Sequence, residues 1–195
     1  FSFMVPGAKW MPAFKRKVWD GKVRLYNRIS KQLNVGLYSH LRRFCADRFY
    51  KLEILEHEVY GIPSAKDDID HPTLVKFLAS LGSPYEPRDY QYKAISHGIE
   101  NYRSILLSPT GSGKSFIIYN LMRYALEATQ GNILVIVPTT SLVEQMYKDF
   151  EDYGYDVGQY CHRIYSGKEK VTDKRIIIST WQSIYRFDHE WFEQF

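Results

Sequence analysis

The sequence predicts an α/β lobe built on a parallel sheet, preceded by a small basic α+β domain. Three observations predict it. The runs Ile133–Val137 and Arg175–Ser179 are nearly continuous in apolar residues, as strands buried on both faces are. Helical patterns alternate with these runs, as right-handed crossovers of a parallel sheet require. Positive charge is concentrated at the front: residues 1–55 hold 12 Lys/Arg and 3 Asp/Glu, residues 56–90 hold 3 and 7, and residues 91–195 hold 11 and 12.

In the first segment, Val18–Leu25 reads as a hairpin turning on Asp20-Gly21, because Asp-Gly tolerates the positive φ of a two-residue turn. Leu37, Leu41, Phe44, Cys45 and Phe49 recur at helical spacing, and Lys51–Leu55 reads as a strand. Residues 1–58 then form the basic α+β domain, in which most of the interleaved rings are expected to be core. Residues 59–84, with Gly61-Ile62-Pro63-Ser64 and Asp67-Asp68-Ile69-Asp70, read as a linker carrying a short helix, Pro72–Leu81. From residue 85 the elements alternate. Arg88–Asn101 reads as a helix, Ser104–Leu107 as a short strand, Ser115–Ala128 as a helix, Ile133–Val137 as a strand, Ser141–Tyr153 as a helix and Arg175–Ser179 as a strand.

Composition excludes several classes. The 195 residues suffice for one medium or two small domains. No apolar run approaches the roughly 18–20 residues of a membrane span. Two distant cysteines, Cys45 and Cys161, make neither a disulfide framework nor a zinc cluster, which suits a reducing compartment such as the cytoplasm. The sequence opens on Phe1-Ser2-Phe3, without a start Met or signal peptide, so it reads as a piece of a longer chain.

Ser108-Pro109-Thr110-Gly111-Ser112-Gly113-Lys114-Ser115 lies between an expected strand and an expected helix. Phosphate binding needs inward backbone N–H groups, which Gly111 and Gly113 permit, and the positive end of a helix. It also needs a Lys for the β- and γ-phosphates and a hydroxyl for magnesium. Lys114 and Ser115 supply these, so the loop 108–115 is a candidate site for a magnesium nucleotide. The first 55 residues, with net charge +9, are either a solvated basic face or a polyanion-binding surface. On the second reading Lys15, Lys17, Lys22, Arg24, Arg42 and Arg43 meet phosphates, and exposed rings can stack on bases.

Three ordered motifs flank the loop: Arg88-Asp89-Tyr90-Gln91 before it, then Pro138-Thr139-Thr140-Ser141-Leu142 and Ser179-Thr180-Trp181-Gln182 after it. Together they resemble the RecA-like first lobe of a superfamily 2 helicase motor. The resemblance implies that Arg88 and Gln91 belong to the element recognising adenine, and that Pro109, Thr110, Gly111, Ser112, Gly113, Lys114 and Ser115 hold ATP with Mg2+. It also implies that Pro138, Thr139, Thr140, Thr180 and Gln182 touch the nucleic-acid backbone. The strict loop pattern opens with Gly, and Ser108 stands there, as in many helicases.

Phe1-Ser2-Phe3, Met11-Pro12, Trp19–Leu25, Leu41–Cys45 and Glu190–Phe195 are similar to the UvsW-type helicases of phages, which implies a front domain gripping DNA. The same resemblance implies a monomer acting on branched DNA or single-strand/duplex junctions, and the cytoplasm of a bacterial host. One feature departs. No Asp-Glu pair follows Ser179, so the acidic element that holds magnesium and polarises water is expected beyond Phe195, and the piece alone to be inactive. The same motifs also suit a restriction-type DNA translocase, and a non-hydrolysing nucleotide- or nucleic-acid-binding module stays open.

Overall fold

The basic N-terminal segment folds around short pieces rather than a continuous sheet. A computed structural model describes residues 1–56, 69–101, 103–167 and 169–195. It divides into two compact units, Phe1–Ala65 and Lys66–Phe195.

In the first unit, β1 (Ser2–Met4) pairs antiparallel with β2 (Lys22–Arg24), Phe3 opposite Val23. Between them lie a 3-10 turn, Ala8–Trp10, and one turn of helix, α1 (Pro12–Lys15), entered through Pro12. The expected hairpin over Val18–Leu25 is therefore wrong. Asp20 Oδ1 instead accepts the Lys22 N–H, turning the chain into β2, and the strand finds its partner at the chain start. Gly21, at φ 75, is required there, because a Cβ would lie 2.6 Å from Met4 Sδ. A second antiparallel pair joins β3 (Tyr26–Asn27) and β4 (Gln32–Leu33). The expected helix appears as α2 (Tyr38–Ala46), which buries Cys45.

Two further expectations fail here. Residues 51–56 make no strand: α2 ends at Ala46, the turn after it passes through Phe49 at φ 56, and no described strand edge pairs with the stretch that follows. The rings are not core either. Among the described residues of this unit only Ala8, Gly21 and Cys45 are buried, while Trp10 is 69% and Phe49 96% exposed.

The second unit begins with α3 (His71–Ser80), capped by Asp70, whose side chain accepts the Thr73 N–H at 2.7 Å. Leu74 is completely buried against Ile95 and Ile99 of α4 (Asp89–Asn101) and Ile117 of α5 (Lys114–Ala128). This corrects the linker expected over 59–84. The helix belongs to the second unit and packs into it through Leu74, with Phe77 and Leu78 partly buried, because this apolar face is covered by the α4–α5 pair. The expectation for 59–68 lies outside the described residues.

The chain continues through β5 (Ile133–Val137), α6 (Thr140–Asp152), α7 (Val157–Tyr160), β6 (Cys161–Ile164), β7 (Ile176–Thr180), α8 (Trp181–Ile184) and α9 (His189–Glu193). The three strands form a parallel sheet in the order β5-β7-β6. Every residue of β7 is buried. Ile176 and Ile178 meet Phe116, Tyr119, Val143 and Phe150 on one side, and Ile177 meets Ile164 and Ile184 on the other, as the two-residue period of a central strand dictates.

Ser104–Leu107 is not a strand. Ile105 is 86% and Leu107 94% exposed, and only Leu106 packs, against the cluster of Leu74 and Ile95. A strand exists only where a neighbour completes its ladder, and no described strand pairs with this segment.

The reassigned helix α3 generates a prediction. Leu74→Ala should destabilise the second unit by about 2–5 kcal/mol, seen as a lower urea midpoint. A helix that merely tethered two domains would tolerate the change within about 0.5 kcal/mol.

Candidate functional site

Two left-handed glycines set the shape of the loop before α5. Gly111 has φ 79 and Gly113 φ 76, and Gly113 is the residue preceding the helix. At both, a side chain would be strained. At Gly113 a Cβ would also collide with the amide nitrogen of Gln91. The loop is stapled internally: Ser112 Oγ donates to Pro109 O at 2.8 Å and bonds the Ser108 hydroxyl. That bond accounts for serine at the position where the strict pattern has glycine.

The phosphate-site residues fit the chemistry asked of them. Among the described residues, the backbone N–H groups of Gly111, Gly113, Lys114 and Ser115 have no acceptor within the protein, and they converge on the N-terminus of a 15-residue helix. Lys114 Nζ donates to Pro109 O at 2.7 Å and Ser108 O at 3.3 Å. Its ammonium is thus folded over the loop that a phosphate would occupy. Ser115 Oγ is 2.8 Å from the Tyr153 hydroxyl. Burial pushes the Tyr153 phenol up, against the opposing effect of the Ser115 bond, so it stays a neutral hydroxyl across the physiological range.

The structure joins the upstream motif to this loop. Gln91 is 7% exposed; its Oε1 accepts the Arg88 N–H and its Nε2 donates to Ser112 O, both at 2.9 Å. Tyr90 donates to the same Ser112 carbonyl at 3.2 Å, and Arg88 donates to the Tyr90 oxygen. Gln91 therefore braces the loop with half of its hydrogen-bonding capacity, leaving one N–H and one oxygen lone pair unused by these two bonds. Tyr90, Pro109, Thr110, Gly111 and Ser112 line a cavity of ≈ 550 Å³ beside the loop.

A second cleft, of ≈ 880 Å³, opens at the C-terminal ends of the three strands. It brings together all five expected backbone contacts of this lobe: Pro138, Thr139 and Thr140 after β5, and Thr180 and Gln182 after β7. Thr139 caps α6 by accepting the Leu142 N–H, and the Thr180 hydroxyl bonds Ser183. Lys170, Arg186 and Tyr185 also line the cleft, and none of its lining residues is acidic. Sequence reasoning missed these three. Their signal is faint, because Glu169 and Asp173 alternate with Lys170 and its neighbouring cations, and Asp188 follows Arg186 closely.

In the first unit a groove of ≈ 970 Å³ is lined by Lys9, Phe14, Lys15, Lys17, Val18, Trp19, Asp20 and Arg24. It gathers Lys15, Lys17 and Arg24 but not Lys22, Arg42 or Arg43, which are exposed elsewhere on the unit. Arg24 is already paired, 2.5 Å from Asp20. Its hydrogen bond holds the Asp20 carboxyl below the usual range, and Asp20 in turn raises Arg24. Lys9, which sequence reasoning did not single out, lies 5.2 Å from the Trp10 ring centroid and Lys15 5.9 Å from it.

With this geometry in view, the chain matches two protein families. Residues 84–195 match the family described as type III restriction enzyme, res subunit. Residues 1–55 match the N-terminal part of DNA helicase UvsW. The ATP-dependent DNA helicase uvsW of Enterobacteria phage T4 is 36% identical over 201 residues, which span 100% of this chain and 39% of that protein. A DNA 3'-5' translocase, XPB2 of Sulfurisphaera tokodaii, is 24% identical over 95% of this chain and 35% of its own length. The crystal structure of the UvsW helicase from bacteriophage T4 superposes with a TM-score of 0.85 and 34% identity, over 100% of this chain and 70% of that one. The chain thus spans about two fifths of the curated helicase relative or less.

The glycine pair generates a prediction. Gly111→Ala and Gly113→Ala carry the same backbone penalty, about 1–2 kcal/mol. At Gly111 a Cβ meets nothing within 4 Å, so the loss in stability stays in that range. Gly113→Ala must in addition displace Gln91 and should lose more in a denaturant titration. Equal losses would show that the Gln91 amide does not close on the loop.

Proposed function

The chain belongs to the superfamily 2 helicases, in the family of the type III restriction enzyme res subunit, and on that premise we propose that it is the nucleotide-gripping front of an ATP-dependent DNA helicase or translocase. The observation that carries the reading is one of placement. The loop 108–115 and the cleft of Thr139, Thr140, Thr180 and Gln182 belong to one α/β lobe, the cleft lying outside the carboxyl ends of its strands, where ligands of open α/β sheets bind.

In this reading ATP seats its phosphates on the free N–H groups of Gly111, Gly113, Lys114 and Ser115. Lys114 leaves the carbonyls of Pro109 and Ser108 for the phosphate oxygens, a charge-assisted bond in place of a neutral acceptor. Ser115 would hold Mg2+, which neutralises phosphate charge when bound. Arg88, Gln91, Pro109, Thr110 and Ser112 shape the loop, and the remaining N–H and lone pair of Gln91 face adenine. The nucleic-acid backbone runs along Pro138, Thr139, Thr140, Thr180 and Gln182, with Lys170 and Arg186 supplying the positive charge.

The first unit is a second grip on DNA, through Lys15 and Lys17 in the groove, and through Lys22, Arg24, Arg42 and Arg43 around it. The match of residues 1–55 to the UvsW N-terminal part favours branched DNA of recombination or replication over a restriction-type role, with the cytoplasm of a bacterial host as the compartment. No Asp-Glu pair follows Ser179 in the sequence, which favours nucleotide binding with negligible turnover for this stretch alone. Among the described residues no helix is long and apolar enough to cross a membrane.

Two measurements test the reading. Lys114→Ala should abolish ATP binding in a fluorescence titration, and hydrolysis by the unmodified chain clearly above that variant would contradict the division of labour. For DNA, Lys170→Glu with Arg186→Glu should weaken binding alike on every sequence. If single strand is the ligand, the log–log salt dependence should flatten by about 0.7 for each phosphate contact removed. Binding indifferent to the pair of reversals would move the DNA path away from this cleft.

A further inference from the structure

Ser115 holds a partner that comes from far along the chain. Tyr153 lies 38 residues downstream, just past the end of α6, and its hydroxyl is 2.8 Å from Ser115 Oγ. The ring has little freedom to leave. It packs edge-on against Phe116 with centroids 4.9 Å apart, against Tyr85 at 5.8 Å, and tilted on Tyr119 at 5.3 Å. Its backbone N–H is fixed to Asp149 O at 3.0 Å.

A serine hydroxyl has one proton and two lone pairs. To ligate a cation it must present a lone pair and send its proton elsewhere. An acceptor fixed beside the oxygen decides where that proton goes, as the outer partners of metal ligands do in general. Resting on the nucleotide reading above, we propose that Tyr153 is a positioning residue for magnesium: its phenol oxygen accepts the hydrogen bond of the Ser115 hydroxyl, which keeps its proton, and so turns a Ser115 lone pair toward the metal of the bound nucleotide. Nothing in the loop motif points to this residue. Tyr153 is an aromatic cap on a neighbouring helix, and only the fold brings it to the loop.

The test compares ATP affinity with magnesium and with EDTA, by fluorescence titration of the full chain. Unmodified protein should bind more tightly with magnesium. Tyr153→Phe keeps the ring and its packing but removes the acceptor. It should shrink the magnesium-dependent gain about tenfold, the lower end for loss of such a partner, while leaving affinity in EDTA within about twofold. Ser115→Ala should shrink the gain as well, and Tyr153→Phe should add nothing on that background. Circular dichroism confirms that each variant is folded. If Tyr153→Phe leaves the gain intact, raises it, lowers both affinities equally, or adds to Ser115→Ala, the positioning role is overturned and the nucleotide reading stands. If the unmodified chain binds no ATP in either condition, the nucleotide reading falls and this inference with it.

Discussion

The amide of Gln91 is the contact on which the nucleotide end of the second unit depends. It sits at the start of α4, held by the Arg88 N–H, and reaches the loop through Ser112 O. Two buried hydrogen bonds of this kind contribute only about 1 kcal/mol each, but leaving a buried amide unpaired would cost about 1–3 kcal/mol. The loop is therefore held as much by the penalty of opening it as by the bonds themselves. The same amide occupies the space a Cβ would need at Gly113. Glycine is thus demanded there twice, by φ and by volume. Ile95, Ile99 and Ile117 bury each other and Leu74 of α3.

The elements that read cleanly from the sequence are those whose signal is local. Helix α6 has Val143, Met146 and Phe150 at helical spacing and a Thr139 cap, and β7 is apolar throughout. Such patterns need no knowledge of the partner. The failures are elements defined by a partner. Lys22–Arg24 is a strand, but it pairs with Ser2–Met4 and not with its sequence neighbours. Ser104–Leu107 has strand composition and no paired edge. Conversely β6, Cys161-His162-Arg163-Ile164, alternates too weakly to be noticed, yet β7 recruits it and buries its two ends, Cys161 and Ile164. For the candidate site the same division holds. Lys114, Ser115 and the glycines are legible because phosphate chemistry fixes their spacing. Tyr153, Lys170 and Arg186 are not, because only folding gives them neighbours.

The charge asymmetry of the sequence looks different once folded. The basic first segment was expected to hide its rings, and it exposes most of them. Trp10 stands 69% exposed with Lys9 and Lys15 within reach of its ring. Cations near an exposed ring gain about 0.5–1 kcal/mol, enough to bias their side chains but not to bind them firmly. An indole flanked by ammonium groups offers a stacking face and phosphate partners together. Arg24 contributes less than its formal charge suggests, since Asp20 already pairs with it. Residues 66–195 hold 14 Lys/Arg against 17 Asp/Glu, a net of −3, yet among the described residues the cleft is lined by two cations and no acid. Net charge over a stretch of sequence is therefore a poor guide to the field in any one cleft.

Helix α6 touches both ends of the second unit's chemistry. Its first turn, at Thr139 and Thr140, lines the cleft at the strand ends. Just past its last turn is Tyr153, hydrogen-bonded to Ser115. Thirteen residues at about 1.5 Å each make a rod of roughly 20 Å, packed through Val143, Met146 and Phe150 into one core with Phe116 and Tyr119 of α5. A packed rod does not bend to accommodate a shift at one end; it moves as a body or not at all. In the present arrangement Lys114 is satisfied by loop carbonyls and Ser115 by Tyr153, so a phosphate in the loop would take Lys114 from its present partners and give new ones to the backbone N–H groups of Gly111, Gly113, Lys114 and Ser115. The driving force would come from those N–H bonds and from the phosphate charge against Lys114 and the helix N-terminus. Because Ser115 is hydrogen-bonded to Tyr153 at one end of α6 and the cleft begins at the other, one packed helix joins the loop to the cleft. On the proposed reading, a shared rod of this kind offers one physical route for coupling nucleotide to nucleic acid without contact between the two ligands, provided it has two discrete arrangements that both sites bias.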